Sequence, residues 1–163
     1  MKSSLPADGR IRCTTDEGEV FYGKANVILS DADKVDIPNC SVILFALPTD
    51  RHEVYLKSMK PYIKEGTLIG SMPGGGGFDL CIRNILGAQL AKPLTLFSLE
   101  TLPWACRVES FGQDVRILGT KKDIDLCVIP SAQFTKVQQI LQAMIGPFPI
   151  VKGSPTSNFW VSR

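Results

Sequence analysis

The hydrophobic positions of the chain alternate between runs that fit strands and stretches that fit helices. Ser41 to Leu47 is an almost unbroken apolar run that Pro48 ends, which is typical of a parallel strand buried on both faces. A helix is predicted from about Arg51 to Gly66, interrupted or kinked by Pro61. Thr67 to Met72 then predicts a second buried strand.

A glycine run separates that strand from the next helix. Pro73 with Gly74 to Gly77 predicts a loop, Phe78 to Leu86 a helix that Gly87 ends, and Pro93 to Leu99 a third strand. The order strand, helix, strand, glycine loop, helix, strand builds a parallel sheet with right-handed crossovers. This central part therefore predicts an α/β fold.

The flanking parts add strands and one more helix. Short strands are predicted at Arg10 to Thr14, Val20 to Tyr22, Ala25 to Leu29, Val115 to Leu118 and Leu126 to Ile129, and an amphipathic helix at Ser131 to Ile145. We expect one domain over residues 1–152: an incomplete Rossmann-like, doubly wound sheet, mainly parallel with some antiparallel strands. Residues 153–163 lose the periodicity and predict a flexible tail.

Composition and charge exclude several classes of function. The 163 residues are 44% hydrophobic, which suits one packed core. The 18 basic and 16 acidic side chains are scattered, so no face for nucleic acid is predicted. Met1 to Arg10 has no apolar signal-like region, and no stretch is long enough to span a membrane. We expect a cytoplasmic protein that does not bind membranes.

The cysteines predict neither a metal site nor a disulfide framework. They stand singly, without a CxxC pair, and one histidine accompanies them. We expect reduced thiols that serve mostly as small buried hydrophobic side chains. They are Cys13, Cys40, Cys81, Cys106 and Cys127.

Two loops follow the carboxyl ends of predicted parallel strands, where ligands of open α/β sheets bind. Backbone amides of Gly74 to Gly77 could hold an anion at the helix N-terminus. A plain surface loop explains four glycines about as well, but the position of this loop favours a binding role. His52 lies just past the first strand and could exchange protons. A histidine on the surface at the start of a helix is, however, the commoner case.

The segment from Thr101 to Arg107 places a proline, an aromatic ring, a thiol and a guanidinium group directly after the third strand. Arg107 could hold a substrate carboxylate through two hydrogen bonds, or it could be a solvated strand residue. Cys106 could act as a nucleophile only beside a base, and the sequence shows none.

This same segment carries a family resemblance. Glu100-Thr-Leu-Pro-Trp-Ala-Cys-Arg107 resembles the octopine dehydrogenase type of opine dehydrogenase, found in marine invertebrates. The similarity runs from about Gly9 to Pro130. Further matching segments are Phe45-Ala-Leu-Pro48 with His52-Glu53, Lys60-Pro-Tyr-Ile-Lys-Glu-Gly66, Gly77-Phe78 with Arg83, Ile85-Leu-Gly87, and Val115-Arg-Ile-Leu-Gly-Thr-Lys121.

The resemblance implies an NADH-dependent reductive condensation of a 2-oxo acid, usually pyruvate, with the amino group of an amino acid. The imine accepts hydride from the nicotinamide, and NAD is regenerated during anaerobic glycolysis. By matched position, the two loops would line the cofactor cleft, and Cys106 would lie near the 2-oxo acid with Arg107 supporting it. The cofactor-binding residues implied are Leu47, Pro48, His52, Pro73, Gly74 and Gly75.

Three departures from the family pattern bear on activity. The sequence holds no strand with a GxGxxG turn before Gly9, and no helical second domain with a His and Asp proton-transfer pair. Gly74 to Gly77 also replaces a loop in which a polar residue such as Gln is expected to contact the oxo acid. We therefore assign no catalytic residue and expect NAD binding that is weak or absent, with no activity in the chain alone.

An alternative is a non-catalytic module that kept the sheet for binding another protein. Such a module would pair, or associate with itself, through the strand edge that the absence of the expected first strand unit leaves bare. The dehydrogenase interpretation expects Glu100 to Arg107 to leave the tip of a buried parallel strand and to face the dinucleotide groove. Residues of this segment buried beneath the sheet, or antiparallel strands beside them, would overturn the dehydrogenase interpretation.

Overall fold

The computed structural model describes residue 6 and residues 8–24, 34–91, 93–146 and 150–152. The chain forms two compact units, one from Met1–Lys34 with Pro103–Lys121 and the other from Val35–Leu102 with Lys122–Arg163. The sequence predicted one domain over residues 1–152. The predicted tail at 153–163 and the predicted strand at Ala25 to Leu29 lie outside the described residues.

Nine strands and four α-helices make up the described part of the chain. In chain order the strands are β1 (Arg10–Thr15), β2 (Val20–Lys24), β3 (Val42–Phe45), β4 (Leu68–Ser71), β5 (Thr95–Leu99), β6 (Trp104–Ser110), β7 (Asp114–Thr120), β8 (Ile124–Ile129) and β9 (Ile150–Lys152). The α-helices are α1 (Thr49–Met59), α2 (Phe78–Leu86), α3 (Ala88–Ala91) and α4 (Phe134–Ile145), and 3-10 turns occupy Lys34–Asn39, Lys60–Tyr62 and Ser131–Gln133.

The helices follow the predicted pattern with three differences: α1 is shorter, α4 begins at Phe134 after a 3-10 turn instead of at Ser131, and the short helix α3 was not predicted. α2 has the predicted bounds, and Gly87 follows it. α1 ends at Met59 rather than near Gly66, because Pro61 lies in the 3-10 turn that follows and cannot continue an α-helix. No helix among the described residues is long and apolar enough to cross a membrane.

The second unit is built on a five-stranded sheet in the order β3-β4-β5-β8-β9. β3, β4 and β5 run parallel to one another, β8 is antiparallel to β5, and β9 is parallel to β8. The predicted α/β sheet, mainly parallel with some antiparallel strands, is confirmed.

Both faces of this sheet are covered, as a doubly wound fold requires. Side chains alternate along each strand, so Ile69 and Leu96 face one side while Leu68 and Phe97 face the other. The first side packs against α1 and α2 through Phe45, Leu56, Ile69, Phe78, Ile82, Leu86, Leu96 and Cys127. The second packs against α4 through Leu68, Phe97, Leu99, Ile124, Leu126, Val128, Val137 and Leu141.

The first unit holds a separate four-stranded sheet in the order β2-β1-β7-β6. β1 is parallel to β7, while β2 and β6 are antiparallel to their neighbours. The segment from Glu100 to Arg107 follows parallel strand β5, as expected. From Trp104 onward it forms β6, which is antiparallel to its neighbour β7. The expectation that only parallel strands flank this segment was wrong, because it treated all strands as one sheet.

The expected burial of the cysteines is also wrong for most of them. Only Cys127 is buried; Cys13, Cys81 and Cys106 are partly exposed, and Cys40 is exposed. Burial raises the pKa of the Cys127 thiol to about 11, and Asp79 nearby adds to the effect. Cys127 alone therefore fits the role of a small core side chain.

Candidate functional site

Two loops leave the same edge of the five-stranded sheet side by side. β3 and β4 are parallel and in register, so that Phe45 pairs with Ser71, and the amide of Met72 donates to the Phe45 carbonyl at 2.9 Å. Leu47 and Pro48 follow β3, and the loop from Pro73 to Gly77 follows β4. The predicted cofactor-binding residues of the two loops are thus brought together at the carboxyl ends of parallel strands, where α/β sheets bind ligands.

The two loops approach each other most closely at Gly75 and Thr49. Gly75 has φ +59°, and a Cβ atom on it would lie 2.5 Å from Oγ1 of Thr49, the first residue of α1. Only glycine tolerates both that backbone conformation and that contact without adjustment. The glycine run is therefore a packed junction and not simply a surface loop.

Gly74 connects the loop after β4 to β5, the third parallel strand, through a hydrogen bond. It is buried, and its amide donates to the carbonyl of Leu99, at the end of β5, at 2.9 Å. Because that amide is already bonded, it is not available to a ligand anion. The hypothesis that the amides of Gly74 to Gly77 hold an anion is therefore wrong for Gly74.

A carboxyl group lies at the N-terminus of the helix that follows. Gly77 precedes α2 with φ +83°, and Asp79 in the first turn is 7% exposed. Its Oδ1 atom has no hydrogen-bond partner among the described residues. An acidic side chain complements the positive end of the helix dipole and competes with an anionic ligand. This helix start therefore favours an uncharged part of a ligand over a phosphate.

His52 is buried inside the protein. Its ring is 1% exposed and packs edge-on against Phe45 and Phe78, with centroid separations of 5.6 and 5.1 Å. Loss of hydration lowers the pKa of His52, and the hydrogen bond to the Leu47 carbonyl opposes this only in part. The ring is therefore neutral near pH 7 and cannot contact a cofactor directly, which corrects both the predicted contact and the expected surface position.

Ser71 is a site residue that sequence reasoning missed. Its side chain is fully buried, its hydroxyl donates to the Pro73 carbonyl at 2.7 Å, and its Oγ atom lies 3.3 Å from Nε2 of His52. The available signal was a single serine at the end of the otherwise apolar β4. A polar side chain there must find a partner when the strand is buried on both faces.

The predicted substrate-binding residues lie in the other compact unit. Cys106 and Arg107 are successive residues of β6, so their side chains point to opposite faces of the strand. The Cys106 thiol lies 3.6 Å from the Trp104 carbonyl, and the exposed Arg107 donates through Nη1 to the Cys106 carbonyl at 3.1 Å. The predicted cofactor and substrate residues thus belong to different units.

A cavity of about 460 Å³ lies elsewhere in the second unit. Its lining includes Leu96 near the start of β5 and its cross-strand partner Ile129. This places the cavity toward the amino ends of the parallel strands, away from the two loops. Ligands of α/β sheets bind at the other end, so the loop edge remains the candidate site.

Comparison with known proteins gives a consistent result, although no family model matches the chain. The chain is 34% identical over 158 residues to an opine dehydrogenase of Haliotis discus hannai, which covers 91% of this chain. It is 34% identical over 130 residues to octopine dehydrogenase of Pecten maximus, which covers 79%. A solved octopine dehydrogenase with NADH and L-arginine superposes with a TM-score of 0.75 at 29% identity over 92% of the chain.

The match covers a part of each relative. The chain spans 38% of the length of the Haliotis protein, 32% of the Pecten protein and 38% of the solved octopine dehydrogenase. The similarity extends through both compact units, since it includes nearly all of this chain. The chain belongs to the opine dehydrogenase family and corresponds to a part of its longer members.

Proposed function

We propose that the chain forms part of the nucleotide-binding portion of an NADH-dependent opine dehydrogenase. Such an enzyme condenses a 2-oxo acid, usually pyruvate, with an amino acid and reduces the resulting imine. The observation that carries the proposal is 34% identity over 91% of the chain with an opine dehydrogenase. Solved octopine dehydrogenases similar to this chain are described with NADH and L-arginine and with NADH and pyruvate, which supports these ligands.

The cofactor would lie against the two loops at the carboxyl ends of β3 and β4. Leu47 and Pro48 would contact it from one loop, and Pro73 and Gly75 from the other, while the buried Gly74 would hold that second loop in place through its bond to Leu99. Because Asp79 occupies the start of α2, we assign this edge to the uncharged part of the cofactor and not to its phosphates.

The oxo acid would lie near β6. We assign Cys106 to the surroundings of the oxo acid and Arg107 to a supporting role, because a guanidinium group can pair with a carboxylate through two hydrogen bonds. Arg107 already donates to the Cys106 carbonyl and keeps further donors exposed to solvent. In the cell, the reaction would regenerate NAD during anaerobic glycolysis.

Tested on its own, the 163-residue chain should bind NADH weakly and show no turnover. Its sequence contains no GxGxxG turn to hold the pyrophosphate, and its one histidine is buried in the structure. A buried histidine cannot donate a proton to a bound substrate, and loss of a general acid typically costs about 10² to 10⁴ in rate. A dissociation constant of roughly 1 mM is expected, which corresponds to about −4 kcal/mol.

The proposal is tested by adding NADH to the ¹⁵N-labelled chain and following amide chemical shifts. Saturable shifts at Leu47, Thr49, Gly74 and Gly75 are expected, with smaller shifts for ADP at equal concentration. Arg83, which lines the cavity away from the loops, is the internal control. If NADH at several times the expected dissociation constant shifts none of the loop amides, the cofactor assignment is rejected.

A second candidate function, association through a strand edge, is favoured by the exposure of β2. Among the residues that the structure describes, this strand is at the edge of the four-stranded sheet, and it exposes Val20, Phe21 and Tyr22 by 43%, 54% and 64%. An exposed apolar edge strand can pair with another chain. Sedimentation across a wide range of concentrations tests this. A size that rises with concentration and is reduced by Phe21→Lys supports it, and a constant monomer mass rejects it.

A further inference from the structure

We infer that His52 and Ser71 form a buried hydrogen-bonded bridge that joins the carbonyl of Leu47 to the carbonyl of Pro73 and so holds the two loops in one arrangement. We call it the His52–Ser71 bridge. It rests on the proposed function, since these are the loops assigned to the cofactor. Both residues act as positioning residues, because neither side chain is exposed to a ligand.

The arrangement of donors in the bridge is determined by its two ends. Both ends are backbone carbonyls, which can only accept hydrogen bonds. The Ser71 hydroxyl has one proton, and the Pro73 oxygen at 2.7 Å is a closer acceptor for it than the Phe45 oxygen at 3.4 Å. The Leu47 oxygen lies 3.2 Å from Nε2 of His52, so Nε2 must carry the ring proton. The Ser71 oxygen then accepts from the same Nε2–H at 3.3 Å.

Burial makes this bridge costly to open. The His52 ring is 1% exposed and Ser71 is fully buried, with Phe45 and Phe78 packed around the ring. Water cannot replace a lost partner in such surroundings, so a broken bond leaves an unsatisfied polar group. Movement of one loop should therefore be transmitted to the other, and α1, which carries His52, should move with them.

The chain offers a matched control in Ser98. This serine pairs with Ser71 across β4 and β5, and its side chain is equally buried. Its Oγ atom has no hydrogen-bond partner among the described residues. Ser98→Ala therefore removes the same atom from the same row of the sheet without breaking a bond to either loop.

Amide hydrogen exchange on the whole chain, without cofactor, tests the bridge. The Arg51 amide, which donates to the Pro48 carbonyl, reports on the first loop, and the Gly74 amide, which donates to the Leu99 carbonyl, reports on the second. Ser71→Ala and His52→Leu should each raise both rates by about threefold to tenfold, the range expected for one lost hydrogen bond. Ser98→Ala should change neither rate by more than about twofold.

Two outcomes overturn the inference. The bridge does not exist if Ser71→Ala accelerates only Gly74, or if Ser98→Ala has the same effect as Ser71→Ala. His52→Gln, whose side-chain amide can still donate near the position of Nε2, should keep both rates close to wild type. If His52→Leu does not fold, Ser71→Ala, which removes a single oxygen atom, decides the question.

The same variants separate this inference from the proposed function. If both rates rise in Ser71→Ala but NADH shifts no loop amide in the wild type, the bridge stands and the cofactor assignment fails. If NADH binds at the loops but the exchange rates are unchanged, the bridge fails and the assignment stands. If both hold, Ser71→Ala should weaken NADH binding about threefold to tenfold, and Ser98→Ala should not.

Discussion

The ring of Phe97 lies directly against the α-carbon of Gly70, so that a methyl group on Gly70 would overlap the Cε2, Cζ and Cδ2 atoms of the ring. The two residues pair across β4 and β5 in the middle of the five-stranded sheet. Phe97 is 1% exposed and belongs to the core beneath α4. The absence of a side chain at Gly70 therefore makes room for a large buried ring.

Gly70→Ala should lower the free energy of unfolding by about 1–3 kcal/mol, since a buried ring cannot move aside without disturbing its neighbours. Urea denaturation measures the loss. Gly119→Ala is the matched control, because Gly119 also lies in a strand and a Cβ there would meet nothing within 4 Å. Adding Phe97→Leu to Gly70→Ala should recover part of the loss. Equal stability of the two alanine variants would refute this account.

The local elements of the central part could be predicted because each depends on a short run of residues. Apolar runs bounded by proline or glycine predicted β3, β4 and β5, and α2 lies between Gly77 and Gly87 as expected. The division into two units could not be predicted in the same way. It depends on the pairing of β1 with β7, for example Cys13 with Val115, across about a hundred residues of sequence.

The position of His52 could have been predicted better. It lies four residues before Leu56, and residues four apart share one face of a helix. The structure buries both of them in α1. The polar character of histidine suggested a surface position, yet the periodicity placed it on the core side. The Leu47 and Ser71 partners that satisfy its Nε2 atom come from other elements, and no local pattern shows them.

The buried neutral His52 predicts a specific pH dependence of stability. Its folded pKa lies below the unfolded value of about 6.5, so the unfolded state binds a proton first as the pH falls. The stabilisation is therefore complete above about pH 6.5 and is lost progressively as the pH falls through that value toward the folded pKa. The carboxylate of Asp50 opposes the shift but does not reverse it.

Thermal unfolding between pH 7.5 and 5.5 measures this effect. The wild type should lose more stability over this interval than His52→Gln, which cannot titrate. Ser98→Ala, which keeps His52, should show the wild-type slope and is the control for a change in the same part of the core. Identical slopes for wild type and His52→Gln would show that the histidine is not buried in its neutral form.

Lys60 stabilises the end of a helix to which it does not belong. Its Nζ atom donates to the carbonyl of Ile85, in the last turn of α2, at 2.6 Å. A positive charge is favourable at this end of a helix dipole. Lys60→Met, which keeps the length of the side chain, should cost about 0.5–1 kcal/mol in urea denaturation. Because of this contact, a substitution at Lys60, which follows α1, should destabilise the end of α2.

Lys57→Met is the control for this prediction. The Lys57 ammonium group forms an exposed ion pair with Glu53, four residues earlier in α1. Pairs of this kind contribute about 0.3–0.5 kcal/mol and are screened by salt. Lys57→Met should therefore cost less than Lys60→Met. A larger loss for Lys57→Met would mean that surface charge, and not the α2 carbonyl, determines the effect.

The junction between the two loops predicts an unequal effect of alanine at two glycines of one loop. Gly75 and Gly77 both have positive φ, at +59° and +83°, so alanine should cost about 1–2 kcal/mol of backbone strain at either. A Cβ at Gly77 would meet nothing within 4 Å, whereas one at Gly75 would meet Oγ1 of Thr49. Gly75→Ala should therefore cost about 2–4 kcal/mol in total, the excess being steric.

Thr49→Ala should relieve that excess, because it removes the Oγ1 and Cγ2 atoms that lie 2.5 and 3.3 Å from the added methyl group and leaves the Cβ at an ordinary 3.5 Å. A double-mutant cycle by urea denaturation measures the coupling of residues 49 and 75, and the same cycle with Gly77→Ala should show none. Since the two loops touch at this point, Gly75→Ala should also accelerate amide exchange at Arg51. Additive effects of Gly75→Ala and Thr49→Ala would mean that the loops do not meet there in solution, and the shared cofactor edge would lose its structural basis.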